Sequence, residues 1–247
     1  MNFLSLYKRK LIYKFKKKTQ IDKDNFESNS LDTLFHYYGS DKANIFKISN
    51  NIGHGYSKFY EKKLEKFKDK EVNVLEIGSF AGSSAAAFSK YLKVSKIFCF
   101  DVNISNFKFE SKKIHVFGIN INDKKKIIKL LNSIFKNHKI DSFDLIIDDG
   151  SHNLSDIIIG LKLFFKFVKN KGLYVIEDFK HPNYYKNNKN IDHILIDELL
   201  KNLKNKKTFF SPFLTRNEQE FLMNSIEKIE IFKGNLDDSD ICFITKK

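Results

Sequence analysis

From Lys70 onward the chain alternates short, continuous apolar runs with longer stretches whose apolar positions repeat at helical spacing. The runs are Val72 to Ile77, Lys96 to Phe100, Lys113 to Phe117, Asp144 to Ile147 and Gly172 to Ile176. Between them lie helical candidates at Ser83 to Leu92, Lys124 to Lys136 and Ser155 to Asn170. A strand that is apolar along its length is covered on both faces, and an intervening helix lets successive strands run parallel. The expectation is an α/β fold, a mostly parallel sheet with helices on both faces. Ile226 to Phe232 and Ile241 to Thr245, with Gly234-Asn235 between them, predict an antiparallel pair that closes the sheet.

Upstream the pattern is less regular. Residues 31–70 read as helical pieces interrupted by a glycine-bearing loop from Gly39 to Gly55, the second piece carrying Phe59, Tyr60, Leu64 and Phe67 as its stripe. Residues 19–30 are polar and read as a linker. Three regions are expected: a basic segment and linker over 1–30, a helical cap over substrate and cofactor at 31–70, and an α/β domain over 71–247.

Composition changes this picture in one place. The 247 residues carry a net charge of +14, but half of it resides in residues 1–18, which hold seven basic groups and no acid. That segment, with Phe3, Leu6, Tyr7, Leu11, Ile12 and Phe15 between the lysines, reads either as a peripheral membrane or partner helix or as a terminal helix packed on its own domain. Arginine occurs only at Arg9 and Arg216. Phosphate and guanine recognition favour arginine, so no nucleic-acid partner is expected. No window is apolar enough to cross a membrane, and lysines interrupt the N-terminus where a signal peptide needs a clean apolar stretch, so a cytoplasmic location is expected. Cys99 and Cys242 lie inside apolar runs and read as reduced, buried thiols.

The chemistry is concentrated at strand ends. Val72-Asn-Val-Leu-Glu-Ile-Gly-Ser-Phe-Ala-Gly82 sets Glu76 at the end of the first strand and two glycines, Gly78 and Gly82, before a helix of small residues. Glycines there let a ligand approach the helix N-terminus, and Asp101, about 20 residues on at the next strand end, suits a ribose. A dinucleotide would want G-x-G-x-x-G; the spacing here is G-x-x-x-G around Ser79, Phe80 and Ala81, which favours a nucleoside cofactor without phosphates. The motif resembles that of the class I S-adenosylmethionine-dependent methyltransferases, with Phe80 in place of their usual middle glycine, and implies a Rossmann-like sheet.

A second pair of motifs, Phe143-Asp-Leu-Ile-Ile-Asp-Asp-Gly-Ser-His152 and Gly172-Leu-Tyr-Val-Ile-Glu-Asp178, delivers acids at two further strand ends. Asp149, Glu177 and Asp178 offer hard oxygen ligands for one divalent cation, magnesium or manganese. His152, with an unperturbed pKa of about 6.5, is positioned in sequence to take a proton from a substrate hydroxyl. The alternative for these residues is a helix-capping pair, Asp149 with His152, and solvated acids in a loop.

Together these motifs resemble the metal-dependent sugar O-methyltransferases of the macrocin and mycinamicin type and the cephalosporin-hydroxylase-like proteins. The resemblance extends to Gly39-Ser-Asp-Lys42 and His54-Gly-Tyr-Ser-Lys-Phe-Tyr-Glu61, and covers roughly residues 31–185. It implies S-adenosyl-L-methionine and Mg2+ (or Mn2+) as cofactors, Asp149, Glu177 and Asp178 as metal ligands, and His152 as base with Asp149 beside it. The cofactor would be lined by Glu76, Gly78, Ser79, Phe80, Gly82, Asp101, Asn120 and Asp148. Ser40, Asp41, Lys42, Tyr56, His181 and Tyr184 are candidates for closing over the acceptor, or for ordinary loop positions. The expected acceptor is a small-molecule sugar hydroxyl, nucleotide-linked, part of a surface polysaccharide intermediate, or a natural-product glycoside. The larger N-terminal auxiliary domain of the macrolide enzymes has no expected counterpart in this chain, so their acceptor and oligomeric state do not carry over, and a homo-oligomer stays open. A dinucleotide oxidoreductase, a nucleic-acid methyltransferase and a non-catalytic cofactor-binding protein of the same fold are the competing readings.

Overall fold

A computed structural model describes residues 3–180 and 194–247. Seven strands form the central sheet: β1 (Glu71–Ile77), β2 (Val94–Asp101), β3 (Ile114–Gly118), β4 (Phe143–Asp148), β5 (Val168–Glu177), β6 (Ile226–Lys233) and β7 (Asp240–Lys246). Their spatial order is β6-β7-β5-β4-β1-β2-β3. The five strands from β3 to β5 pair in parallel, and β7 pairs antiparallel with both β5 and β6. The first strand is therefore central, and the chain reverses its winding direction there, which opens a crevice at the strand C-termini where ligands sit in such sheets.

Eight α-helices accompany the sheet among the described residues: α1 (Phe3–Phe15), α2 (Leu31–Tyr38), α3 (Ser57–Leu64), α4 (Ser83–Tyr91), α5 (Lys124–His138), α6 (Leu154–Phe164), α7 (Ile196–Lys204) and α8 (Arg216–Ser225). Alternation along the strands divides the core in two. Leu75, Ile77, Ile146, Tyr174 and Ile176 face α5 to α8, whereas Val74, Leu145, Ile147, Val175 and Phe243 face α2, α3 and α4. Residues 31–70 are thus built into the second core layer through Leu34, Phe35, Tyr56, Tyr60 and Leu64, all fully buried. Cys99 and Cys242 are buried and free, as expected.

The helix expected over Ser155 to Asn170 stops at Phe164. Phe165–Phe167 tighten into a 3-10 turn, and from Val168 the chain is already β5, paired with Phe143. The apolar density of Phe164, Phe165, Phe167 and Val168 suits either conformation, and pairing with β4 decides it. The stretch 19–30 is stitched to the domain: Thr19 and Gln20 pair with Phe109 and Glu110, and Asp22 accepts from Ser111 Oγ at 2.6 Å and from the Lys112 amide at 2.9 Å. Two helices unmarked by the strand-helix alternation, α7 and α8, cover the far end of the sheet. The stripe Ile196, Leu199, Leu200, Leu203 and the capping box of Thr215 with Glu218 are the signals that specify them.

Candidate active site

The turn after β1 is built on left-handed backbone. Gly78 has φ +88°, and a Cβ there would lie 1.9 Å from the carbonyl oxygen of Asp149, so β1 and the loop after β4 touch through a glycine that nothing else can replace. Phe80 also has positive φ, +40°. It is held by Asp101, whose Oδ2 accepts from the Phe80 amide at 2.8 Å while Oδ1 accepts from the Asn103 amide at 2.6 Å. Phe80 therefore occupies the place of a glycine with its ring 65% exposed over the turn. Ser79 is buried and its hydroxyl donates to the Glu76 carbonyl; Gly82 starts α4 with φ +78°.

Strand alternation decides where each acid points. Glu76 falls on the α4 side, accepts from Ser84 Oγ through Oε1, and keeps Oε2 buried with no hydrogen-bond partner. Burial raises its pKa, and Lys42 partly counters this. Asp148 falls on the opposite face. It is buried against α6, accepts from Tyr174 Oη at 3.1 Å, and sits so close to Gly160 that a Cβ there would be 2.5 Å from Oδ2. Burial pushes Asp148 up to about 7. Expected beside the cofactor, it is separated from Glu76 by the sheet itself, because the two differ in strand parity. Asn120 uses its side chain locally, accepting from the Asn122 amide at 3.0 Å.

The Gly39–Lys42 loop folds over the glycine turn. Ser40, Asp41 and Lys42, together with Gly78, Ser79, Phe80, Ser84 and Asp149, line a cavity of about 140 Å3. Pockets for drug-sized ligands hold roughly 300–1,000 Å3, so this space is large enough for only part of such a molecule; Phe80 is in its lining and Asp101 is not. The loop expected to close over an acceptor thus walls the cavity at the glycine turn.

Lys42 goes deeper. Its side chain is 3% exposed, and Nζ donates to Asp149 Oδ2 at 2.5 Å and to Glu177 Oε2. Burial works against its charged form, but Asp149 and Glu177 outweigh it and hold the ammonium well above its usual value. The other Glu177 oxygen accepts from Tyr60 Oη. Tyr56, expected at the acceptor, is fully buried one helical turn earlier and donates to Asp178 Oδ1. His54 stacks on Tyr56, with Nδ1 2.7 Å from Ser239 Oγ and 3.3 Å from Asp178 Oδ1. Lys42, Tyr56 and Tyr60 are thus the underside of the acid cluster, holding its carboxylates in place. His54 and Tyr60 escaped the sequence reading as site residues, although Tyr56 and Tyr60 share one face of a helix by their spacing.

Above this support, Asp149, His152 and Asp178 converge. One ligand atom from each lies within 4.8 Å of the others, and His152 Nε2 is 3.7 Å from Asp149 Oδ1. His152 and Asp178 both adopt positive φ, +55° and +50°. Such backbone costs energy for non-glycine residues and is found where a site dictates geometry. Glu177 and Asp178 both have raised pKa values. In each case burial comes first; Lys42 opposes it at Glu177, and at Asp178 the charge of Asp149 adds to it. The Lys42 ammonium meets Asp149 and Glu177 but not Asp178, which is held by Tyr56 and His54, so the three carboxyl groups leave room in the charge balance for a further cation. His181 and Tyr184 lie outside the described residues.

Residues 55–225, well over half of the chain, match the family described as FtsJ-like methyltransferase. Among curated proteins the chain is 25% identical over 150 residues to the 8-demethyl-8-alpha-L-rhamnosyl tetracenomycin-C 2'-O-methyltransferase of Streptomyces olivaceus, covering 58% of this chain and 36% of that protein. It is 25% identical over 154 residues to the mycinamicin VI 2''-O-methyltransferase of Micromonospora griseorubida, covering 57% of this chain and 37% of the relative. The chain thus spans about a third of the length of the curated relatives it matches. Among solved structures it shares its fold with the MycE methyltransferase of the mycinamycin biosynthetic pathway, in complex with Mg and SAH, at a TM-score of 0.67 and 19% identity, over 90% of this chain and 55% of that one.

Proposed function

The chain belongs to the FtsJ-like methyltransferase family, and we propose that it transfers the methyl group of S-adenosyl-L-methionine to a sugar hydroxyl with the help of a divalent cation. The observation that carries this reading is the double placement of Asp149. It lines the cavity at the glycine turn and also belongs to the Asp149–His152–Asp178 cluster, so a bound cofactor and a metal-held acceptor would meet at one residue. The named relatives methylate sugar hydroxyls of natural-product glycosides, which supports a sugar as acceptor. A nucleotide-linked or polysaccharide sugar is the finer alternative, separated from a glycoside by an acceptor panel.

The residues present fit both groups. The unpaired Oε2 of Glu76 is a buried acceptor waiting for a donor, as the amino end of the methionine portion would supply. Gly78 and Gly82 let the turn pack against the Asp149 backbone and the Phe107 ring, and Asp101 braces it through the Phe80 amide. Asp149 and Asp178 would hold Mg2+ or Mn2+; Glu177 joins them only if Lys42 or Tyr60 releases it, since both its oxygens are engaged. When bound, the cation makes a substrate hydroxyl more acidic. His152, partly exposed beside Asp149, would accept the proton as the hydroxyl oxygen bonds to the methyl carbon and the methyl–sulfur bond breaks, its electron pair returning to sulfur to leave S-adenosylhomocysteine. Lys42, Tyr56 and Tyr60 fix the acids so that the reacting atoms are held in line, which lowers the entropic part of the barrier.

His152→Ala is the test. Calorimetry should show S-adenosylhomocysteine binding unchanged while turnover falls about a hundred- to ten-thousand-fold, and wild-type turnover should vanish in chelator and return with Mg2+. Wild-type turnover in the variant would remove His152 as base, and full activity in excess chelator would remove the cation.

A further inference from the structure

The helix α1 is inverted relative to an ordinary surface helix. Its inward face is held by polar anchors: Arg9 Nη1 donates to the Val102 carbonyl at 3.1 Å, and Lys16 Nζ donates to the carbonyls of Ser105 and Asn106 at 3.0 and 3.2 Å. Tyr13, between them, packs edge-on against Phe107 at 6.3 Å. Its outward face carries Tyr7, Leu11 and Phe15, 57%, 40% and 79% exposed. Spaced four apart, these three form one seam along the helix. Lys8, Lys10 and Lys14 flank the seam, all exposed, and residues 1–18 contain no acid. An amphipathic helix normally turns such a stripe toward the core.

We propose that α1 docks the protein onto an anionic lipid surface, inserting Tyr7, Leu11 and Phe15 below the headgroups while the flanking lysines meet the acidic ones. An apolar seam rimmed with lysine is the arrangement of helices that lie in the bilayer interface. No helix among the described residues is long and apolar enough to cross a membrane, so the contact is peripheral. A second copy of the chain is a poor occupant, because face-to-face pairing would bring lysine rims together. A polyanion such as RNA would use the lysines but has no need of the aliphatic part of the seam. The helix is anchored to the loop after β2, and a Cβ at Gly118, the end of β3, would lie 3.1 Å from Lys10 Cε. These are strand C-termini, the edge on which exposed Phe80 and Ile48 also line the cavity.

The test is vesicle flotation of the full chain, which needs no turnover and is independent of the reading of the active site. Wild type should float with phosphatidylcholine vesicles containing phosphatidylglycerol and stay behind with phosphatidylcholine alone. Tyr7→Ser/Leu11→Ser/Phe15→Ser, confirmed folded by circular dichroism, and Lys8→Glu/Lys10→Glu/Lys14→Glu should each lower partitioning about tenfold or more. The proposal is overturned if wild type does not float with the anionic vesicles, or if the serine variant floats as well as wild type. It is also overturned if single-stranded RNA binds wild type and serine variant equally and displaces vesicles from both. Sedimentation showing a wild-type dimer that the serine variant abolishes would assign the seam to a second copy instead.

Discussion

Replacing Lys42 by Met keeps the length of the side chain and removes its charge from a site where the charge has two partners. The ammonium donates to Asp149 at 2.5 Å and to Glu177, with 3% of the Lys42 side chain exposed. Removing one partner from a buried ion pair costs about 3–5 kcal/mol, because the remaining charge is neither solvated nor paired. Burial already pushes the Glu177 pKa up and Lys42 opposes it, so loss of the ammonium favours the neutral carboxyl and the lower end, about 3 kcal/mol, applies. For a chain of this size each kcal/mol moves the melting temperature by about 2–4 °C, giving a fall of about 6–12 °C. A carboxyl whose folded pKa is raised contributes stability at low pH that is lost as pH rises through that value. The deficit of Lys42→Met should therefore shrink on acidification. The same substitution frees a Glu177 oxygen. A divalent cation bound at about 100 times its Kd stabilises by about 2.7 kcal/mol, and this gain should be larger in Lys42→Met than in wild type. The assay is thermal unfolding followed by circular dichroism in chelator and in Mg2+, at neutral and mildly acidic pH. Equal melting temperatures for both proteins in chelator, or protection by Mg2+ of wild type alone, would refute the reasoning.

Glu76→Gln should leave the fold intact and weaken S-adenosylhomocysteine binding by about 1.5–3 kcal/mol, the worth of a hydrogen bond to a charged group, as read by calorimetry; unchanged affinity would separate Glu76 from the cofactor. His115, half-buried on β3 against Phe98 and His138, has its pKa pushed down to about 4 by burial, with His138 and Lys96 adding to it. Its contribution is full above the unfolded value of about 6.5 and is lost as pH falls through about 4; discounted for its exposed half, it amounts to about 1–2 kcal/mol. His115→Phe should flatten this part of the acid branch in urea unfolding at a series of pH values, and an unchanged branch would place the effect elsewhere.

The strands were legible because each carries a continuous apolar run and most are followed by a helix of different period, so β1 to β5 appear in the sequence to within a few residues. The acids at their ends were legible for the same reason, since an apolar run that stops at Glu76, Asp101, Asp148 or Glu177 marks the sheet's C-terminal edge. What the sequence concealed was side. Asp148 and Asp149 are neighbours, yet one is sealed under α6 by Gly160 and Tyr174 and the other stands in the site; parity against Glu76 carried that information. Lys42 was concealed by distance, because its partners lie 107 and 135 residues away and nothing local shows that a lysine after a glycine turn will be buried. Helix α7 had a full apolar stripe and was overlooked only because it follows the last parallel strand.

The central claim is methyl transfer from S-adenosylmethionine to a sugar hydroxyl at the Asp149–His152–Asp178 edge. The direct measurement is mass spectrometry of products after incubating the protein and Mg2+ with trideuteromethyl-labelled cofactor and a panel of free glycosides, nucleotide-linked sugars and polysaccharide intermediates. The account predicts that one class gains a single labelled methyl on a sugar oxygen, and that His152→Ala loses this product while still binding cofactor. Label on RNA or on a nitrogen atom, or none on any sugar from protein that binds the cofactor, would contradict it.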